Sequence, residues 1–249
     1  MTAVDLLAVL ADASDAIRAA LGGIDDWGLT GTKPGEHHSD LVADAAAVAV
    51  LTGAGLGVLS EESGRHHPER PITVVVDPLD GSTNAAHGIP WYASSLCAVD
   101  EEGPRAAMVV NLADATRFEA ERGQGATRDG ELLQPTRRTR MIDSIMVLNG
   151  YPDRWLGWYQ YRVLGAAALD LCAVAAGTVD GFIDCGVTGL APWDYLGGLL
   201  VCRESGVLVT DARDLDLVVL DHTARRTLVA APTPELLSEA VEARQALSW

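Results

Sequence analysis

The sequence predicts a layered fold in which an α+β half passes into an α/β half. Three observations predict it. Two segments with apolar residues at helical spacing come first, followed by a run of strands separated by glycine turns. The polar stretch "QPTRRTR" near residue 140 marks a change of pattern. Beyond it strands and helices alternate, an order that stacks helices against sheets. The division implied is residues 1–140 and residues 141–249.

Residues 3–22 read as a helix closed by Gly22 and Gly23. "WGLTGTKPGEHHSD" is a loop, and residues 41–55, "LVADAAAVAVLTGAG", form a second helix ended by its glycines. "GVLSEES" is a short strand ending in acids, and the strand that begins at Ile72 ends on Asp77. Residues 92–100 and 105–135 read as consecutive antiparallel strands. Their hairpin turns fall at Glu102-Gly103, Gly123-Gln124-Gly125 and Asp129-Gly130. In the second half "SIMVLNG", "GFIDC", "VLVTD" and "TLVAAP" are strands. Residues 161–177, 194–206 and 234–247 are helices, the last with Thr233 as its N-cap. The acid-rich "DARDLDLVVLDH" reads as surface loop and edge strand.

A chain of 249 residues buries a substantial core, and 48% hydrophobic content is ordinary for a globular protein. The formal net charge of -17 repels nucleic acid and anionic membrane and argues against a polyanion binder. A small phosphorylated substrate would then need local positive charge, for which bound metal is the obvious source. Cys97, Cys172, Cys185 and Cys202 sit in apolar contexts without a CxxC pair and read as buried free thiols. Asp5, Asp12 and Asp15 interrupt the first helix, which is not the pattern of a signal peptide. No apolar run is long enough to span a bilayer. The expectation is a soluble cytoplasmic protein. His37, His38, His66 and His67 read as surface residues, Trp91 and Tyr92 as cover for the sheet, and Trp155, Trp158 and Tyr159 as core or subunit interface.

The chemistry is concentrated in "ITVVVDPLDGSTN". A carboxylate at the end of a buried strand is costly unless paired or metal-bound. Pro78 turns the chain, so Asp80 can stand beside Asp77, and two such acids repel unless a cation lies between them. Glu61 and Glu62 end the preceding strand. Asp194, in "PWDYLGG", either caps the helix it precedes or points at the same place. Oxygen-only ligands select hard cations such as Mg²⁺, Mn²⁺ or Ca²⁺. The segment is no EF-hand loop, since its third position is Leu79 and its twelfth Gly88. Gly81, Ser82 and Thr83 offer backbone N–H groups as a phosphate seat. The bland alternative is a β-turn, which "DPLDG" alone would satisfy. The joint occurrence of "SEES", "DPLDGSTN" and "PWDYLGG" in this order argues for more.

These stretches resemble the inositol monophosphatase family of lithium-sensitive, Mg²⁺-dependent phosphatases. "LSEES" at 59–63 resembles its GEE element, "DPLDGSTN" at 77–84 its D-P-[IL]-D-G-[ST]-x-N signature, and "PWDYLGG" at 192–198 its W-D-x-x-[AG]-[AG] element. The resemblance implies the αβαβα layered sandwich shared with fructose-1,6-bisphosphatases, a homodimer, and two or three Mg²⁺ per site. It implies Glu61, Asp77 and the Leu79 carbonyl at the first metal, and Asp77, Asp80 and Asp194 at the second. The Gly81 and Ser82 N–H groups, with Thr83, would bind phosphate. Asp44 and the Ser82 hydroxyl would orient the attacking water, with Glu61 assisting. In this layout one metal supplies hydroxide and the other stabilises the leaving oxygen, so no covalent phosphoenzyme is needed.

The sequence departs from the family's D-x-V-T-x-x-D element. Asp40-Leu41-Val42-Ala43-Asp44 is two residues shorter, which leaves Asp40 as an alternative to Asp44. On the substrate side the resemblance nominates Gly165, Ala166, Ala167 and Asp184, together with Asp80 and Asp194. Three extra residues separate Asp184 from Trp193-Asp194, and its alternative is a solvated loop acid. Arg137, Arg138, Arg140, Arg154 and Arg162 are the clustered cations that could meet a second phosphate. The expected activity is hydrolysis of a polyol or sugar phosphate, with inositol 1-phosphate the default. Alternatives are 3′-phosphoadenosine 5′-phosphate, histidinol phosphate, fructose 1,6-bisphosphate, or a natural-product intermediate. A scaffold that has lost catalysis should have lost a metal ligand, and all are present.

Overall fold

The computed structural model describes residues 5–25, 27–31 and 37–247. Helix α1 is Leu6–Leu21, started by Asp5, whose carboxylate accepts the Ala8 N–H at 3.2 Å. Helix α2 is His38–Gly53. It begins three residues earlier than apolar spacing predicts, because the Asp40 carboxylate accepts the His37 N–H at 2.8 Å and stabilises a polar first turn.

The strands of the first sheet follow: β1 Gly57–Ser60, β2 Gly64–His66, β3 Thr73–Asp80, β4 Ala93–Asp100, β5 Gly103–Asn111, β6 Arg117–Glu121, β7 Gly125–Arg128 and β8 Glu131–Leu132. The short helix α3, Ser82–Ala86, interrupts them after β3. Their order in the sheet is β2-β1-β3-β4-β5-β6-β7-β8. The sequence predicts an antiparallel sheet, but β1 lies parallel to β3. Strand β2, which the sequence reading missed, folds back antiparallel on β1.

The second sheet comprises β9 Ile145–Asn149, β10 Gln160–Arg162, β11 Gly181–Asp184, β12 Leu208–Asp211 and β13 Leu228–Ala231, in the order β10-β9-β11-β13-β12. Helix α4 is Ala167–Ala175, α5 is Pro192–Ser205 and α6 is Pro234–Gln245. Helix α4 is shorter than the predicted 161–177. Residues Gln160–Arg162 pair with β9 instead, and Gly165, at φ +89°, adopts a conformation no helix residue can share. Thr233 caps α6 as expected, accepting the Leu236 N–H at 3.3 Å.

Strand alternation sorts the layers. Val74 and Val76 face α1 and α2, whose Leu10, Ile17 and Ala47 complete the first core. Val75 and Cys97 face the other way, against α4 and α5, where Leu171 and Leu199 meet Phe182 and Leu228 of the second sheet. On the far side Met146, Leu148 and Ile183 pack on α6 through Leu236. The layers therefore run α-β-α-β-α. All four cysteines are buried and free. Among the described residues no helix is long and apolar enough to cross a membrane.

One histidine expectation is corrected. His37 is buried at 6% exposure because its Nδ1 lies 2.8 Å from the Trp27 carbonyl, whereas His38 and His67 are exposed. Trp158 is core, while Trp155 and Tyr159 are more than half exposed.

Candidate active site

The parallel pairing of β1 with β3 builds the centre. Ser60 stands opposite Val76, so the residues that follow, Glu61 just past β1 and Asp77 within β3, come side by side. The Glu61 N–H donates to the Val76 carbonyl at 3.1 Å. The register against β4 then shifts between Asp77 and Asp80, a bulge that re-aims the end of β3. Within it the Leu79 N–H donates to Asp77 Oδ1 at 3.0 Å. Asp80 Oδ2 accepts the Ala168 N–H, in the first turn of α4, at 2.8 Å. Asp194 lies in the first turn of α5 and accepts the Ala191 N–H at 2.7 Å. It is not that helix's N-cap, which is Ala191. It both secures the helix start and faces the other acids.

The electrostatics follow from this crowding. Burial, then Asp194 and Glu62, push the Glu61 carboxyl up to about 8, and Asp40 adds to the shift. Burial holds Asp77 well above the carboxylate range, helped by Glu61, Asp80 and Asp194. Asp80 is raised by burial and then by Asp194. Asp194 is pushed up to about 6 by burial, against the pull of the Ala191 N–H and Arg225. Four crowded carboxyls, Asp77 buried and Glu61, Asp80 and Asp194 half-buried, are a donor set whose repulsion a divalent cation relieves, and an oxygen-only set suits Mg²⁺, Mn²⁺ or Ca²⁺. Among the described residues no three His, Cys, Asp or Glu side chains already stand at metal-clasping spacing. The fit rests on donor chemistry and mutual repulsion.

Gly81, at φ +84°, turns the chain from β3 into α3. A Cβ there would stand 3.1 Å from the carbonyl oxygens of both Gly165 and Trp91. Ser82 is half-buried and Thr83 exposed at the start of α3. Asn84 Nδ2 donates to the carbonyls of Trp91 and Leu164, each at 2.8 Å. The 164–167 segment thus lies against the signature turn. Gly165 is exposed there, while Ala166 and Ala167 are buried.

Both candidate water-orienting acids are buried in α2 near Glu61. Asp44 accepts a short hydrogen bond from the Ser60 hydroxyl, one residue before Glu61. Asp40 accepts the His37 N–H and acts on Glu61 through its charge. Asp184 is 0% exposed, so it is not a solvated loop acid. Its Oδ1 accepts the Gly186 N–H at 2.8 Å and Asn149 Nδ2 at 2.9 Å. Its buried Oδ2 has no hydrogen-bond partner, and burial pushes the carboxyl up to about 6.

Three of the five predicted arginines are bonded elsewhere. Arg138 lies 3.8 Å from Asp180, Arg154 reaches the Ala246 carbonyl, and Arg162 the Tyr161 carbonyl. Sequence reasoning missed two groups that do stand at the acids. His222 Nε2 lies 3.0 Å from the Glu61 carbonyl with its ring 4.5 Å from Trp193, and Arg225 covers Trp193 at 5.6 Å. It also missed Ser60 and the pair Trp91–Asp170, whose indole-to-carboxyl bond is 2.9 Å long. Only Ser60, beside "EES", had a nearby signal. Trp91 and Asp170 are 79 positions apart, and His222 is 161 from Glu61.

The inositol monophosphatase family profile matches residues 40–248. An inositol-1-monophosphatase of Mesorhizobium japonicum is 37% identical over 199 residues, 72% of this chain and 73% of the relative. A fructose-1,6-bisphosphatase/inositol-1-monophosphatase of Thermococcus kodakarensis is 34% identical over 211 residues, 83% and 81% of the two chains. A solved structure from Pyrococcus horikoshii, described as having similarities to inositol-1 monophosphatase, superposes with a TM-score of 0.82. It is 27% identical and covers 96% of each chain. Fold and kinship define a phosphoric monoester hydrolase. The chain belongs to the inositol monophosphatase family.

Proposed function

We propose that the chain is a Mg²⁺-dependent phosphomonoesterase for a small polyol or sugar phosphate, with inositol 1-phosphate the first candidate. The observation that carries this reading is the convergence of Glu61, Asp77, Asp80 and Asp194 from three elements into one mutually repelling group. Glu61, Asp77 and the Leu79 carbonyl would hold one cation, and Asp77, Asp80 and Asp194 a second. When bound, such cations neutralise phosphoryl charge and lower the pKa of a water.

The chain's own groups do the positioning. The N–H groups of Gly81 and Ser82, with Thr83, seat the phosphate. Asp44, held by Ser60, and the Ser82 hydroxyl orient the attacking water. Ser82 is therefore no nucleophile. The 165–167 segment borders the alcohol side of the substrate, and Asp184, whose charge raises Asp194, is the acid nominated for a substrate hydroxyl. Free thiols favour a reducing compartment, hence the cytoplasm. A homodimer fits the exposed edge strand β10.

The relative from Thermococcus kodakarensis carries both activities in its name, so fructose 1,6-bisphosphate remains in the substrate panel. Phosphate release is measured from inositol 1-phosphate, fructose 1,6-bisphosphate, 3′-phosphoadenosine 5′-phosphate and histidinol phosphate, with Mg²⁺ and with chelator, and then with Li⁺. Mg²⁺-dependent release from one preferred ester is expected, with Li⁺ inhibition. No release from any ester would overturn the reading.

A further inference from the structure

We infer that Asp170 is a positioning residue for the phosphate seat, acting through the indole of Trp91. This rests on the phosphatase reading above and adds a group that never touches the substrate.

Asp170 belongs to α4 and is 1% exposed among Leu169, Leu171 and Ala173, all core. A carboxyl in such a place loses its hydration and costs stability unless a partner compensates. Burial pushes it up to about 8, and the hydrogen bond from Trp91 opposes that shift. An apolar residue would fill the same space at lower cost, so packing alone does not account for an acid here.

Its partner connects it to the signature turn. Trp91 Nε1 donates to Asp170 Oδ1 at 2.9 Å. The Trp91 backbone carbonyl accepts from Asn84 at 2.8 Å, and the Leu164 carbonyl takes the other Asn84 hydrogen at the same distance. The Trp91 and Gly165 carbonyls also flank Gly81 so closely that a Cβ would stand 3.1 Å from each. The turn from Gly81 to Asn84 therefore lies in a slot. One wall is the 164–166 segment leading into α4, and the other is the Trp91 backbone. Asp170 ties the second wall to the helix that continues from the first. That helix also donates its Ala168 N–H to Asp80 at 2.8 Å. One short helix thus sets Asp80 directly and the N–H groups of the turn through Trp91. A displacement of about 1 Å at such groups is enough to cost a large factor in rate.

The test compares Asp170→Leu, Asp170→Asn and Trp91→Phe with the wild-type chain in Mg²⁺. It uses p-nitrophenyl phosphate as ester and inorganic phosphate as competing anion. Asp170→Leu and Trp91→Phe should raise the inhibition constant for phosphate and the KM roughly tenfold. Asp170→Asn keeps an acceptor for the indole and should stay within about threefold of wild type, a rescue that a charge effect would not give. A purely structural role would lower the melting temperature and leave the phosphate inhibition constant unmoved, and that result overturns the inference. Equal damage in Asp170→Asn and Asp170→Leu overturns it as well. If Asp170→Leu does not fold, Trp91→Phe decides by the same readout. A wild-type chain without Mg²⁺-dependent release fails the phosphatase reading instead, before any variant is compared.

Discussion

Replacing Gly81 by alanine tests the slot through a single added methyl group. At φ +84° a residue with a Cβ costs roughly 1–2 kcal/mol relative to glycine. The methyl would also meet two backbone carbonyl oxygens at 3.1 Å and the Ala166 Cβ at 3.2 Å. Backbone atoms cannot rotate away, so overpacking adds about 1–3 kcal/mol. The expected loss is about 3 kcal/mol, which for a chain of this size lowers the melting temperature by roughly 6–12 °C. Gly88→Ala is the control. Its φ is +70° but no atom lies within 4 Å of the added Cβ, so only the backbone cost of roughly 1–2 kcal/mol applies. Urea denaturation gives the two stabilities, and p-nitrophenyl phosphate hydrolysis gives kcat/KM. Gly81→Ala should lose most activity and Gly88→Ala little. Equal stability losses in the two variants would refute the slot geometry.

Three further outcomes are expected. Asp194→Asn should lower kcat/KM by roughly 10²–10³-fold, because it weakens the hold on a cation that would neutralise transition-state charge. In chelator its melting temperature should rise, because a carboxyl that raises Glu61, Asp77 and Asp80 is gone. Asp170, pushed up to about 8 from 3.8, binds its proton more tightly folded than unfolded, so it destabilises the fold progressively as pH rises from about 4 to 8. Asp170→Asn removes that dependence, and urea titrations at pH 5 and 7 should show its advantage growing by at most about 3 kcal/mol between them. Glu204 accepts the Gly123 and Gly125 N–H groups at 3.0 Å each, tying α5 to the β6–β7 turn. Glu204→Ala should cost about 2 kcal/mol in denaturant titration without changing kcat/KM.

How legible each part was depended on the sequence distance of its causes. Strand β3 declared itself through Val74, Val75 and Val76, and α6 through its Thr233 cap. What failed was pairing. "GVLSEES" reads as a strand, but nothing local states that it joins β3 in parallel register, and that register is what sets Glu61 beside Asp77. The same limit explains β10. "YRVLGAAAL" carries helical spacing, yet a partner in β9 and the left-handed Gly165 override it. His37 looked like a surface residue until Trp27, ten positions away, supplied its partner.

The site divides along the same line. Its acids were legible because a buried strand ending in a carboxylate breaks a rule that any reader of the sequence can apply. The groups that hold those acids in place break no rule locally. Asp170 looks like one more polar position on a helix, Trp91 like one more aromatic beside a strand, and Ser60 like one more residue of a short strand. Their meaning lies in bonds that only the assembled layers create: Ser60 to Asp44, Trp91 to Asp170. A carboxyl cluster that resists its own ionisation cannot hold its shape by attraction among its members. It needs donors besides its own members, and the Leu79, Ala168 and Ala191 N–H groups supply them from β3, α4 and the N-cap of α5. The candidate site's residue types can therefore be named from the chain, while the precision with which they meet belongs to the packing of the helices between the two sheets.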